Sequence, residues 1–433
     1  MTSVNHLLEA LDLLPTARAS DLGKQLEVSQ PTVSRLITAA GSRVCRMGAG
    51  RQTRYARTRT LLHLGTQVPV YRIDEAGRIH PYGLLHFLTQ RRHWLARQEG
   101  PSELFDGFPP FAEDMAPQGY IGRSFAARYP ELGLPPRPQD WTEDQALLAL
   151  ALRGEDCVGD LIIGDESLNR FLAETPPPAS RSDYPQMAQA ALSRPPGSSA
   201  GGEQPKFATS VEDRHVVVKF AGGDDGAAAR RWRDLLVCES LALDAVRAAG
   251  LAAATSQWLD VEAYRFMEVN RFDRVGLRGR RPLLSLRAID NEYLGLGGTW
   301  TRVAQGLLSG QHIRPEDAWR VRWLDTFGQL IGNTDRHLGN LSFFVEGPMK
   351  FRLAPVYDML PMVFAPQGTS LSEHRFVPAP PSADTLDVWG HAARCAREYW
   401  STLASSSELS DPFRERCLHA GEAVDRLIRQ SPV

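Results

Sequence analysis

The feature that most constrains this chain is a polar loop caught between apolar segments. In Leu330–Phe344 (LIGNTDRHLGNLSFF), Asp335 and Asn340 separate an apolar helix end from an apolar strand over Leu341–Val345. A second strand, Phe351–Leu353, leads into Ala354-Pro355-Val356-Tyr357-Asp358. A chain built this way must bring a helix end, a loop and a hairpin together while the loop's polar side chains stay out of the core. The residue types then state a chemistry. A carboxylate at Asp335 can accept or orient a hydroxyl proton. An amide oxygen on Asn340 and a carboxylate on Asp358 suit a hard cation such as Mg²⁺. His337 is placed either to donate to a phosphate or to serve as an ordinary loop histidine. These are the requirements of phosphoryl transfer, which asks a protein for positioning and charge compensation.

The upstream half agrees. His215–Phe220 (HVVVKF) reads as a strand with Lys219 at its end, and Arg230–Ala249 reads as a helix containing Glu239. Glu239 lies in the apolar stretch Leu235–Leu243, where an unpaired carboxylate is costly. Lys219 is the evident partner, in the strand-lysine and helix-glutamate arrangement that places nucleotide phosphates in protein kinases. Ahead of the strand, Ser198–Lys206 carries Gly201 and Gly202, whose backbone N–H groups can approach phosphate oxygens. It is neither a G-x-G-x-x-G nor a Walker loop. Phe266–Arg274 (FMEVNRFDR) reads as a strand entering a turn, where backbone groups would bond adenine.

The first sixty residues read as a separate basic module. Apolar residues at Leu7, Leu8, Leu11 and Leu14 have helical spacing. Ser20 is the expected cap of a second helix, Asp21–Glu27. Val28-Ser29 turns into a third helix, Gln30–Ala40, with Pro31 in its first turn. Val33, Leu36 and Ile37 form its inward stripe, leaving Gln30, Thr32, Ser34 and Arg35 on the open face, residue types that bond base edges and phosphates. Val44–Arg57 reads as a hairpin around Gly48-Ala49-Gly50, with Arg51 and Arg54 on it. Residues 1–59 hold nine Lys/Arg against four Asp/Glu, while the whole chain is −2. That asymmetry points to a polyanion partner at this end.

The 433-residue chain has room for several domains and a large core without staples. Its cysteines (Cys45, Cys157, Cys238, Cys395 and Cys417) are odd in number and form no C-x-x-C pair, which fits a reducing compartment. No apolar run has the length of a membrane span, and the N-terminus lacks the pattern of a signal peptide. A cytoplasmic protein with no membrane contact is expected. Pro/Gly/Ser punctuation near 175–183 and 193–202 marks linkers. Residues 1–60, 61–180 and 181–433 are the expected divisions.

From about Pro69 onward the chain resembles the HipA family. The likeness rests on the serine-bearing loop Ser199–Lys206, on Arg271–Arg274 (RFDR), on Asn333–Asn340 (NTDRHLGN) and on Ala354–Asp358 (APVYD). Softer patterns agree at Pro109–Gly119 and Gly154–Gly164. With a winged helix ahead, the layout is similar to the YjjJ/HipH-like subgroup. The resemblance implies an α+β, bilobal HipA/protein-kinase-like fold preceded by a small winged helix-turn-helix domain. It implies a growth-inhibitory serine/threonine kinase toxin using ATP and Mg²⁺. Asp335 would be the catalytic aspartate, with Asn340 and Asp358 the metal ligands. Lys219, supported by Glu239, would hold phosphates together with Gly202, Gln204, Lys206 and His337, and Asn270 and Phe272 would hold adenine. Ser199, beside Ser198, would be the autophosphorylated serine. The implied partners are a protein substrate, an aminoacyl-tRNA synthetase among the candidates, DNA through residues 1–60, and a second copy of the chain as a homodimer. The other reading weighed is a transcription regulator whose kinase-like half senses a ligand. A small-molecule kinase shares the catalytic spacing, but the serine-bearing loop favours a protein kinase.

Overall fold

The structure is a computed structural model that describes residues 2–173, 178–192, 204–368, 370–371 and 375–431. The chain divides into two compact units: Met1–Ala116, Glu131–Pro135 and Gln139–Thr175 form one, and Pro117–Pro130, Pro136–Pro138 and Pro176–Val433 the other.

The first unit opens with helices α1 (Val4–Leu13), α2 (Ala19–Gln25) and α3 (Gln30–Ala40), then the antiparallel strands β1 (Val44–Met47) and β2 (Arg54–Arg57). Leu7, Leu11, Leu22 and Val33 are fully buried among the three helices, with Leu36 and Ile37 packed beside them. This is a winged helix-turn-helix. One local expectation is corrected. Helix α2 starts at Ala19, and Asp21, not Ser20, satisfies its first turn by accepting from the Arg18 backbone N–H at 3.1 Å. A carboxylate at this position is the stronger acceptor and also favours the positive end of the helix.

Beyond the wing come β3 (Gln67–Ile73), β4 (Ile79–Phe87), β5 (Arg92–Arg97), β6 (Glu103–Asp106) and α4 (Pro110–Met115). Helix α5 (Gly119–Arg128) belongs to the second unit. Then α6 (Glu143–Arg153), β7 (Leu161–Ile163) and α7 (Asp165–Ala173) complete the first. The five strands form one antiparallel sheet in the order β6-β5-β4-β3-β7. Val70, Leu85, Phe87 and Leu95 on its inner face pack against Leu147, Leu150 and Ala151 of α6. The wing is joined to this sheet: Cys45, Met47 and Ala56 bury against Leu88 and Trp94.

The second unit has a smaller lobe with α8 (Tyr184–Leu192), β8 (Lys206–Val211), β9 (Arg214–Gly222), α9 (Ala227–Ala248), β10 (Ser256–Val261) and β11 (Tyr264–Asn270). Its antiparallel sheet runs β10-β11-β9-β8. Strict alternation gives the sheet two different faces. Val216, Val218, Phe220 and Phe266 pack on Tyr184 and Ala188 of α8, whereas Ala221, Met267 and Val269 belong to the core around α9. The larger lobe follows the short hairpin β12 (Arg274–Val275) and β13 (Gly279–Arg280). It contains β14 (Leu283–Ser285), α10 (Leu286–Tyr293), α11 (Trp300–Ser309), α12 (Pro315–Leu330), β15 (Ser342–Gly347), β16 (Lys350–Leu353), α13 (Leu386–Ser405) and α14 (Asp411–Gln430). Strands β14, β15 and β16 form a small antiparallel sheet. Trp300, Trp323, Trp389 and Trp400 are buried in this lobe. A buried indole needs an acceptor for its N–H. Trp300 donates to the His337 carbonyl at 2.9 Å and Trp400 to the Leu330 carbonyl at 3.0 Å, so the core grips both sides of the polar loop.

No helix among the described residues is long and apolar enough to cross a membrane. The five cysteines are free.

Candidate active site

Lys219 sits on β9 with its side chain on the α9 face of the sheet, cross-strand from Met267. Its ammonium donates to both carboxylate oxygens of Glu239, at 2.6 and 2.7 Å, and also to Oδ1 of Asp358. Glu239 is fully buried and Lys219 nearly so. Burial works against the lysine's charge, but two adjacent carboxylates overcome it and hold its pKa above the usual value. Burial likewise opposes the Asp358 carboxylate, yet the charges of Lys219 and Lys206 bring its pKa down to about 2. For Glu239 burial prevails, and its pKa is raised. Such a pair says little about stability but much about placement, because neither charge tolerates the loss of the other.

Lys206 lies directly opposite Lys219 in the β8–β9 register. Like charges facing each other across a ladder repel unless an anion lies between or beside them. Next to Lys206, Gln204 is buried, and its Nε2 has no partner among the described residues. An orphan amide donor and two lysines on one face of the sheet suit phosphate oxygens. Gly202, Ser198 and Ser199 lie outside the described residues.

The loop after α12 is organised by a residue that the sequence reading passed over. Asn333 is almost completely buried. Its Nδ2 donates to the Asp358 carbonyl at 3.1 Å, and its Oδ1 accepts from the Asp335 backbone N–H at 3.0 Å. One carboxamide thus ties the two acidic segments together. Arg336 donates to the Asn333 carbonyl and, through Nε at 3.0 Å, to buried Asp325 on α12. Polar residues at a helix end look like turn formers in sequence, and only the burial of Asn333 reveals its role.

Asp335 and Asn340 meet. Asn340 Nδ2 donates to the Asp335 carbonyl at 2.8 Å and approaches its carboxylate Oδ2 at 3.4 Å. Both amide hydrogens therefore point at Asp335, and Asn340 Oδ1, the atom a cation would use, accepts nothing among the described residues. The same is true of Asp358 Oδ2. Asp358 has φ +53°, an unusual backbone for a residue with a side chain. The side chain of Asp335 is half-exposed. His337 Nδ1 accepts from the Gly339 N–H at 3.1 Å, which leaves Nε2 as the donor, 3.9 Å from Asp335 Oδ1. Tyr357 donates to the Gly339 carbonyl at 3.1 Å and packs on Phe272 with ring centroids 5.8 Å apart.

No group of three or more His, Cys, Asp or Glu among the described residues forms a metal cluster. The available donors are the free oxygens of Asn340 and Asp358. Magnesium is commonly held in this sparse way, by one or two protein oxygens plus phosphate and water. The residues therefore fit a magnesium–nucleotide complex.

Asn270 is not brought to this site. It pairs with Val216 on the α8 face of the sheet, opposite to Lys219. Its Oδ1 accepts from Arg214 at 3.0 Å. In the winged helix, Gln30, Ser34 and Arg35 are exposed on α3, and Thr32 is half-buried and accepts from Arg35 at 3.3 Å. Arg51 and Arg54 are exposed on the wing, Arg54 within 3.4 Å of Thr16.

Residues 64–172 match the family model of the YjjJ-like toxin middle domain, and residues 198–425 match that of the HipA-like C-terminal domain. The chain is 34% identical over 426 residues to Toxin YjjJ of Escherichia coli (strain K12), covering 95% of each chain. Among solved structures, a chain of the Shewanella oneidensis MR-1 complex of HipA, HipB and operator DNA is similar in fold. The TM-score is 0.50 at 15% identity, over 84% of this chain and 97% of that one. By these matches the chain belongs to the HipA-like toxin family and is similar in organisation to its YjjJ-like members.

Proposed function

We propose that the chain is an ATP- and Mg²⁺-dependent protein serine/threonine kinase of the HipA toxin type, acting in the cytoplasm to restrain growth. The observation that carries this reading is Lys219 bridging Glu239 and Asp358, with Asn333 tying Asp358 to Asp335. Bound magnesium would compensate phosphate charge, held by Asn340 and Asp358. Lys219, fixed by Glu239, binds phosphate oxygens, with Lys206 and Gln204 beside it. Asp335 accepts the proton of the attacking serine or threonine hydroxyl, and Asn340 Nδ2 holds the Asp335 carbonyl and carboxylate in place. His337 Nε2 donates toward the transferred group. Phe272 and the backbone near it form the wall for adenine. Residues 1–60 bind DNA through α3 and the wing. Ser199, or its neighbour Ser198, is the autophosphorylation site.

The test is transfer of labelled γ-phosphate from ATP by the purified full chain, with and without Mg²⁺. Wild type labels itself and a protein in a cell extract, and Asp335→Asn labels neither. Phosphoproteomics of cells producing each form then identifies the target. A wild-type protein that binds no ATP and labels no protein refutes the kinase reading.

A further inference from the structure

A cleft of about 560 Å³ opens in the larger lobe between α14 and the stretch that follows Asp358. Part of its lining is apolar: Phe364, Phe376 and Leu427, with Val377 at its open side. Val377 is 75% exposed, so its side chain is open to a partner. Its rim is basic. Arg375, Arg416 and Arg426 line it with a single carboxylate, Glu422, which lies 3.8 Å from Arg426. Neither Arg375 nor Arg416 has an acceptor among the described residues. The positive charge also reaches inward. Arg231 is buried behind Phe364, donating to its carbonyl at 3.0 Å, and its pKa is lowered by burial and by the charge of Arg416.

This cleft is built onto the base of the catalytic loop. Val363 donates to the Gly332 carbonyl at 2.9 Å. Gly332, with φ +73°, leaves so little room that a Cβ there would lie 2.8 Å from Val363 and 3.2 Å from Phe376. Phe376 packs against Trp400 with ring centroids 5.5 Å apart, and that indole holds the Leu330 carbonyl. A chain lying in the cleft is therefore anchored to the same rigid elements that position Asp335.

We propose that the cleft docks an acidic segment of the protein substrate, one in which carboxylates flank a large apolar side chain. The apolar residue covers Val377 and Phe376, and the carboxylates meet Arg375 and Arg416. This rests on the kinase reading and names its substrate class. A cleft of this size takes two or three side chains, and opposite charges at its rim supply selectivity and a faster encounter.

The experiment uses the full chain carrying Asp335→Asn, without nucleotide, and three fluorescein-labelled probes read by anisotropy. One is a twelve-residue peptide of Asp and Glu around Leu, Phe and Ser. The second has Lys in place of the acids, and the third is an oligo(dT). The acidic peptide binds best and weakens with added salt. Arg375→Ala with Arg416→Ala lowers its affinity by about tenfold or more. Val377→Asp, at an exposed position where folding is undisturbed, does the same. The proposal is overturned if the lysine peptide binds as well, or if neither variant changes acidic-peptide binding. It is equally overturned if the same arginine variants instead weaken oligo(dT). Because no phosphate transfer is needed, acidic-peptide binding in a protein that transfers no phosphate supports the docking site while the kinase reading fails. Wild-type phosphotransfer with no peptide binding overturns the docking site alone.

Discussion

Lys219 is the residue on which the site depends, and its surroundings make its removal distinctive. Glu239 has no exposure at all, so Lys219→Met leaves a buried carboxylate beside a second one, Asp358. Breaking a buried pair from one side costs roughly 3–5 kcal/mol, whereas replacing both partners with apolar groups is close to neutral. Urea unfolding should therefore show Lys219→Met strongly destabilised and Lys219→Met with Glu239→Leu substantially restored. Equal loss in both would mean that the ion pair is not what the core tolerates. Asn333→Ala removes the tie between Asp335 and Asp358 without touching either carboxylate. It should lower kcat for phosphotransfer about tenfold or more while leaving the KM for ATP nearly unchanged. The sequence disclosed Lys219 and Glu239 together because a glutamate inside an apolar helix stretch demands a partner. It did not disclose Asn333, since an amide at a helix end has many ordinary uses. Nor did it disclose the face of the sheet on which Asn270 lies, because that depends on register, and a local pattern leaves register open by one residue.

At the scale of elements, the helices and strands around the loop were legible from periodicity. Expected strand His215–Phe220 lies within β9, and the expected helix Arg230–Ala249 corresponds to α9. The contacts that join elements were not, because they are long-range. The burial of the wing against Leu88 and Trp94 is one case. His93 on β5 is another. It is fully buried, its Nδ1 donates to the Gly107 carbonyl at 2.7 Å, and Nε2 faces Arg59 at 3.2 Å. Burial first, and the Arg59 charge in addition, depress its pKa, and burial does the same to His86 on β4. In the unfolded chain these histidines titrate near 6.5. Below that pH the unfolded state binds protons that the folded state refuses, so stability falls as pH drops and levels off above neutrality. Each histidine contributes up to about 1.4 kcal/mol per pH unit in that window. Urea midpoints should be lower at pH 5.5 than at 7.5, and His93→Gln should flatten the difference. A midpoint independent of pH would show that these imidazoles are not held neutral.

On the scale of the whole molecule, the uneven charge carries an expectation that the fold refines. Residues 1–59 hold nine basic side chains against four acidic ones in a chain of net charge −2. The structure removes two arginines from the surface available to a polyanion. Arg57 pairs with Asp12, and Arg59 pairs with Asp144 at 2.6 Å and also donates to the Leu88 carbonyl at 3.0 Å. Arg35, Arg46, Arg51 and Arg54 remain exposed on α3 and the wing. If these four meet phosphates, the logarithm of DNA affinity should fall with the logarithm of salt at a slope of about −3.6. Arg51→Ala should make that slope shallower by about one, because it deletes a phosphate contact and nothing else. Arg59→Ala should leave the slope unchanged and instead lower the stability of the first unit, since Asp144 and the Leu88 carbonyl lose their donor. Titrations of both variants against a duplex at several salt concentrations, with urea unfolding alongside, separate the two roles. If Arg59→Ala flattens the salt dependence as Arg51→Ala does, the surface that meets DNA is not the one formed by α3 and the tip of the wing.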